Sequence, residues 1–334
     1  MANEIEKFNA IALADIEKIN GKTDDNIEKL NGFEFTGVTQ QGLMYAGISG
    51  STYHSTKNLV STSGVVATDT DNSTMDKKQL AGAEYGTGLG IFAFGEGKVG
   101  GSTNITSYGG VSNLVNTSGV IAADVSRVGT GRYLLAAAGY GGDKAIFGCG
   151  ANASATNVSM TNLVSNSGVV ASDTTGVGTA RQALSAATYC TDKAIFVCGY
   201  STSVFSNKNL VNSSGVVASD ASNTGTGRYY SAGAGYGTDT AIFAFGFTAA
   251  DAVTSLSNLV NNSGVMAADV TGVGTARIGM GATKYGGDKA IFAFGNDWSS
   301  DVSVSNLVSN SGVVASDTSG VGTARQYLAA CSFA

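Results

Sequence analysis

Hydrophobic residues along this chain fall in short runs split by glycines and small polar residues, and the runs recur. The clearest copy spans Ser257 to Gly295: SNLVNNSGVMAADVTGVGTARIGMGATKYGGDKAIFAFG. Arg277 to Tyr285 has a centre of small residues, which predicts the innermost strand of a radial sheet, where neighbouring units crowd an axis. Gly-Gly-Asp288-Lys then makes a turn. Ala-Ile-Phe-Ala-Phe294 is apolar without a break, as in a strand covered on both faces. Asn-Leu-Val from Asn258 predicts a third strand, and the Asn-Ser-Gly segment after it a hairpin turn. Val265 to Asp269 predicts a fourth, outer strand, and a glycine-rich crossing leads into the next copy.

The Asn that opens the Asn-Leu-Val strand recurs as Asn58, Asn113, Asn162, Asn209, Asn258 and Asn306. A basic residue follows each after 19 positions: Lys77, Arg132, Arg181, Arg228, Arg277 and Arg325. From the first five of these, 18 positions lead to Gly95, Gly150, Gly199, Gly246 and Gly295. Only the linker from that glycine to the next Asn changes length, from 10 residues to 18. A period of roughly 40–50 residues marks a solenoid or a propeller. The chain ends on a first strand, Arg325 to Phe333, and the repeat region opens on a second strand, Gly42 to Gly47. Together they supply one blade. The predicted fold is therefore all-β, a six-bladed propeller over residues 36–334 closed by a composite blade from both termini. An open solenoid is the alternative, but it needs capping repeats.

Residues 1–35 follow a different rule. Ile5-Glu-Lys-Phe8-Asn, Ile16-Glu-Lys-Ile19-Asn and Ile27-Glu-Lys-Leu30-Asn recur every 11 residues. Read as short helices stopped at Asn20-Gly21 and Asn31-Gly32, they present an apolar edge of Ile5, Phe8, Ile16, Ile19, Ile27 and Leu30. Short isolated helices are marginal in water, so the arm is expected to dock and anchor the chain.

Charge narrows the function. The net charge is −6, of which the arm, with four Lys against eight Asp or Glu, holds −4. No basic surface for nucleic acid or anionic lipid follows from this. No apolar run approaches the roughly 18 residues of a membrane helix. The four Cys form no metal spacing. Cys149 and Cys198 occupy the slot of Phe94, Phe245 and Phe294 in other copies, and are expected to be buried.

In this order (Arg, small-residue strand, Tyr, turn, Ala-Ile-Phe-Ala-Phe-Gly, variable loop, Asn-Leu-Val, turn, Val-Val-Ala-Ser-Asp) residues 36–334 resemble the kelch repeat. Kelch units close the second strand with two glycines, where Phe245-Gly246 and Phe294-Gly295 have one. The kelch outer-strand Trp is missing, and the only Trp is Trp298, in a variable loop. The wording Asn-Leu-Val-Ser-Asn-Ser-Gly-Val-Val-Ala-Ser-Asp, with an Ile-Glu-Lys-Ile-Asn-Gly leader, is similar to kelch-like structural proteins of tailed bacteriophages, marine ones especially. That resemblance implies a non-enzymatic virion protein of the head, neck, tail or baseplate, assembled in the host cytoplasm, present in multiple copies and joined to other virion proteins by the arm.

Candidate chemistry is sparse. Asp69, Asp124, Asp173, Asp220, Asp269 and Asp317 each lie 11 residues after the Asn and eight before a basic residue. They read either as a ring of carboxylates for a cation or as caps that hold the crossing or pair with the Arg ahead, and the second reading is preferred. Arg132, Arg181, Arg228, Arg277 and Arg325 recur in the same way, whereas a catalytic cluster breaks symmetry. The repeat region has one His and two Glu, Glu84 and Glu96. A glycosidase pair would have to come from Asp, and no phosphate loop or nucleophile elbow appears. No catalytic residue, metal or cofactor is expected. Binding is expected on the variable loops, which should gather on one face. These carry Tyr53, His54, Lys98, Tyr108, Tyr200, Phe205, Phe247, Asp297 and Trp298, facing a partner subunit, a host protein or a host glycan. The alternatives are a carbohydrate-binding recognition module and a glycoside-cleaving enzyme.

Overall fold

A computed structural model of the chain describes residues 40–72, 74–98, 111–126 and 128–334 in full. Of the remainder it describes the backbone of Lys7–Phe8, Ile11–Ala12, Lys18–Ile19, Lys22–Thr23, Lys29–Leu30, Phe33–Glu34 and Ser107–Tyr108. The chain divides into two units, Met1–Thr39 and Gln40–Ala334, four residues later than the composition change at 35.

The described residues of the first unit are strand, not helix. Lys7–Phe8 pairs with Ile11–Ala12, Lys18–Ile19 with Lys22–Thr23, and Lys29–Leu30 with Phe33–Glu34, each antiparallel. The 11-residue period survives, but its product is a hairpin. Two of the three pairs enclose Asn-Gly, the strongest two-residue hairpin signal, and a single helical turn has no such local closure. Phe8, Ile19 and Leu30 lie in these strands, while Ile5, Ile16 and Ile27 lie outside the described residues.

The second unit is a set of antiparallel sheets, consistent with a β-propeller-like fold. One sheet carries Gly281–Tyr285, Lys289–Ala293 and Ser305–Val308 in that order, and the other copies match it. The second strand is central and dry: Phe92, Phe147, Phe196, Phe243 and Phe292 are buried because neighbouring sheets cover both of its faces. Burying each such side chain contributes about 1.5–3 kcal/mol. The strand Ala329–Phe333 pairs with Gln41–Ser49, Cys331 opposite Leu43, and Gln41–Ser49 pairs with Thr52–Val60.

Two of the four strands of each copy differ from expectation. The inner strand is interrupted before Gly281, because the residue two beyond each basic residue is left-handed: Gln79, Leu134, Ala183, Tyr230, Gly279 and Tyr327 have φ of 53° to 63°. The reason lies in the neighbours. Gln79 N–H donates to Tyr327 O, Tyr327 to Gly279, Gly279 to Tyr230, Tyr230 to Ala183, Ala183 to Leu134, and Leu134 back to Gln79. These six bonds form a complete circuit at the start of the inner strands.

A second circuit runs at their other end. Gly86 donates to Asp143 O, Gly141 to Asp192, Cys190 to Asp239, Gly237 to Asp288, Gly286 to Gln40, and Ala334 to Gly88. Between the circuits the inner strands touch in cyclic order, Ala81–Tyr85, Ala136–Tyr140, Ser185–Tyr189, Ala232–Tyr236, Gly281–Tyr285 and Ala329–Phe333, the last against the first.

The outer strand is mostly reduced to two bridges per copy, such as Val260↔Met266 and Ser257↔Val270. The register slips by one residue between these bridges, which is a bulge. It occurs in all six copies and turns the Asp inward, onto the Asn of the third strand.

Candidate functional site

The repeated charged residues form a hydrogen-bonded network within each sheet, in which Arg132 Nε, Arg228 Nε and Asn306 Oδ1 are buried without a partner among the described residues. Arg181 donates through Nε to Cys198 O at 2.8 Å, through Nη1 to Thr179 O at 3.1 Å and through Nη2 to Asn209 Oδ1 at 2.6 Å. Asn209 Nδ2 donates to Ala218 O at 3.0 Å and to Asp220 Oδ1 at 2.9 Å. Asp220 Oδ2 accepts Thr179 N–H and Oγ1–H, and Arg181 Nη1 lies 3.6 Å from Oδ1. The same set recurs around Arg325, Asn58, Asp69 and Thr323. In Arg277 the Nη2 contact goes to Phe292 O instead of Asn306. The five repeated arginines, Arg132, Arg181, Arg228, Arg277 and Arg325, and Lys77 are buried. Burial pushes Arg132, Arg277 and Arg325 down to about 10 and Lys77 down to about 8.

These contacts correct one expectation. Asp124, Asp173, Asp220, Asp269 and Asp317 each engage the segment that carries the preceding basic residue, at the head of their own sheet, and Asp69 engages Thr323 and Arg325 from the far end of the chain; none engages the basic residue eight positions ahead. Thr226, two residues before Arg228, donates to Asp269; Thr275, two before Arg277, donates to Asp317; and Met75, two before Lys77, donates to Asp124 through its N–H. The sheet folds the outer segment back along the entry of its own inner strand, which local spacing cannot register. Among the described residues, no cluster of His, Cys, Asp or Glu of metal-binding composition is present.

The residue closing each second strand is left-handed too. Ala46, Phe94, Cys149, Cys198, Phe245 and Phe294 have φ of 58° to 66°, and the glycine after each has φ of 91° to 115°. Phe94, Phe245 and Phe294 lie under the guanidinium of the next copy's Arg, at 4.7, 4.2 and 4.2 Å. Cys149 and Cys198 fill the same slot, buried and reduced, and burial pushes both thiols up.

The variable-loop residues divide sharply. Tyr53, His54 and Lys98 were expected in loops but lie in strands, Tyr53 and His54 in Thr52–Val60 and Lys98 in Glu96–Lys98. There the long first hairpin pairs with Asp76–Lys78, which in turn holds Glu96–Lys98. Tyr53 is buried, bonds Glu96 through its hydroxyl, and has Lys98 Nζ 4.2 Å from its ring centre. His54 Nε2 meets Ser49 Oγ at 2.7 Å, and partial burial, with Arg325 nearby, pulls its pKa below the ordinary value. Tyr108 lies in the strand Ser107–Tyr108, paired with Glu96–Lys98. Phe205 is half-buried, its N–H bound to Gly199 O.

Tyr200, Phe247 and Trp298 belong together. Tyr200 packs on Tyr229 at 5.3 Å, Tyr229 on Phe247 at 5.3 Å, and Phe247 edge-on to Trp298 at 4.6 Å. Tyr229 also meets Tyr230 at 5.2 Å, and Tyr230 meets Tyr327 at 5.2 Å, so the arc reaches the first hydrogen-bond circuit. Phe247 is buried beneath its neighbours, whereas Trp298 is 67% exposed. Tyr229 Oη donates to Asp251 at 3.0 Å, and burial together with that carboxylate pushes it up to about 12. Six rings in contact offer a broad surface for flat, partly apolar partners.

Tyr229, Tyr230 and Tyr327 were missed because they sit inside the repeat, not in its loops. A signal existed: the two positions after each basic residue read KQ, YL, QA, YY, IG and QY between constant flanks. Variation at fixed spacing marks a surface as well as variation in length does. A search of known protein families finds no family model that matches this chain, and a search of curated proteins finds no match.

Proposed function

We propose that the second unit is a six-bladed, kelch-like propeller without enzymatic activity, and that the chain is a structural protein of a tailed-phage particle. The two hydrogen-bond circuits and the pairing of Ala329–Phe333 with Gln41–Ser49 support the count of six and the composite blade. The paired left-handed residues that end each second strand support the kelch relationship, since Phe, Cys or Ala stands there where kelch units have the first of two glycines and adopts a positive φ that glycine favours. The virion assignment rests on the resemblance of the repeat and its leader.

The observation that carries the binding reading is the aromatic arc from Tyr200 to Trp298. The buried charged network repeats around the ring and spends most of its bonding groups on itself and on nearby backbone, so it serves the scaffold. The arc occurs once, on the side where loop length varies, and there the molecule departs from sixfold symmetry. On this reading the arm anchors the chain and the arc meets a neighbouring subunit or the host surface. The exposed Trp298 favours a second reading, recognition of a host glycan, because sugar faces stack on such rings.

Particles assembled with a chain lacking residues 1–34 are expected to lose the protein, as read by its copy number in purified particles, and unchanged incorporation refutes the anchoring role. On a glycan array, binding that disappears in Trp298→Ala establishes the second reading. No binding by the native protein removes it.

A further inference from the structure

The residue before each strand-ending aromatic is Glu84, Gly139, Thr188, Gly235, Lys284 or Ser332. All six line a half-open cavity of about 220 Å³ at the hairpin end of the inner strands. The ring two residues deeper is glycine or alanine throughout, so the floor is smooth and small. The wall above it is unlike in every direction. A Cβ on Gly235 would lie 3.1 Å from Lys284 Cδ, so that glycine leaves room for the lysine stem.

Most polar groups of this wall are already paired. Thr188 Oγ1 donates to Gly139 O and accepts Gly139 N–H, both at 3.0 Å. Ser332 Oγ donates to Glu84 Oε2 at 2.5 Å, and Gln40 Nε2 reaches the same oxygen at 3.4 Å. Three atoms are left over. Among the described residues Lys284 Nζ has no hydrogen bond or ion pair, Glu84 Oε1 accepts none, and Gln40 Oε1 is buried without a partner. Lys284 is largely buried, which pulls its pKa down, with Glu84 and Asp288 opposing from a distance.

A cation and a carboxylate oxygen that share a cavity without touching are costly to keep, because each is partly desolvated and each keeps bonding capacity unmet. A molecule bearing both opposite charges offsets both costs at once. We propose that this cavity binds a small zwitterion of the free α-amino-acid class, with the ligand carboxylate on Lys284 Nζ and its ammonium group between Glu84 Oε1 and Gln40 Oε1. The Gly/Ala floor offers no charge or ring to a ligand side chain, which restricts it to hydrogen, methyl or hydroxymethyl. This site lies at the opposite end of the inner strands from the aromatic arc, and its occupancy is independent of the function proposed above.

Isothermal titration of the full-length chain with glycine, L-alanine and L-serine tests this, with acetate and methylammonium as half-ligands. Saturable binding of at least one amino acid is expected, with neither half-ligand binding. Glu84→Gln and Lys284→Met should each weaken it at least about tenfold, and Trp298→Ala should leave it unchanged. Glu84 also holds Ser332, so if Glu84→Gln does not fold, Lys284→Met decides alone, since Nζ holds nothing within the described structure. Absence of saturable binding by all three amino acids overturns the proposal, as does affinity unaffected in Lys284→Met.

Discussion

A guanidinium removed from water is stabilised by the acceptors around it, and Arg181, Arg277 and Arg325 have three each. Removing one partner of such a group typically costs about 3–5 kcal/mol, because the other is left charged and buried. The carboxylates give this network a pH dependence. Asp69, Asp173, Asp220, Asp269 and Asp317 are partly buried, which pushes them up. Their hydrogen bonds from Thr and Asn and the nearby Arg outweigh this and hold all five below the ordinary carboxylate value. A group depressed in the folded state stabilises fully above its unfolded pKa, about 3.9, and loses that contribution as pH falls through the folded value. The melting temperature is therefore expected to be flat near pH 6 and to fall below about pH 4; a melting temperature that holds or rises on acidification contradicts this. At this scale the sequence was informative about which residues matter, since the 11- and 19-residue spacings pick out the Asn, Asp and basic residue together. It misled on which Asp serves which Arg, because the true partner is distant in the chain and adjacent only after the sheet forms.

Elements show where local signals are ambiguous. Asn-Gly reads equally as a helix stop and as a two-residue hairpin turn, and in the first unit the residues flanking it pair as antiparallel strands, Ile19 with Lys22 and Leu30 with Phe33. The apolar run of Lys289–Ala293 was unambiguous, as was the hairpin after Asn-Leu-Val, because a fixed period left no other length for them. The left-handed residues were not legible: nothing about Leu134, Ala183 or Tyr327 favours positive φ, and the circuit of backbone bonds imposes it from outside. Glycines separate the two kinds of constraint. Gly50 sits at φ 55° with open space where a methyl group would stand, whereas a Cβ on Gly295, at φ 115°, would lie 2.7 Å from Ile278 O. Gly50→Ala is expected to cost about 1 kcal/mol. Gly295→Ala should cost at least about 2 kcal/mol, the conformational penalty plus a clash with backbone. Denaturant midpoints of the two variants check this, and equal losses would show that the second-strand ending is less constrained than its geometry implies.

Across the whole second unit, the proposed recognition falls to residues outside the repeated network. The same network recurs in each copy with its basic residues and Asn buried, so it adds little surface chemistry. The aromatic arc and the mixed wall of the axial cavity occur once each, at opposite ends of the inner strands. Both break the repeat at fixed register positions, which is why the loops alone pointed to only part of the first and to none of the second. The proposed closed ring rests on the pairing of Ala329–Phe333 with Gln41–Ser49, where Cys331 stands opposite Leu43 and both are buried in one cluster. Directly opposed residues of an antiparallel pair lie close enough to bridge by a disulfide. The decisive measurement is peptide mapping of the Leu43→Cys variant after mild oxidation of the folded protein. A disulfide joining position 43 to Cys331, with a raised melting temperature, is the result expected. A folded variant in which both thiols stay free, or in which the introduced thiol bridges to Cys149, Cys190 or Cys198 instead, would contradict the closed ring.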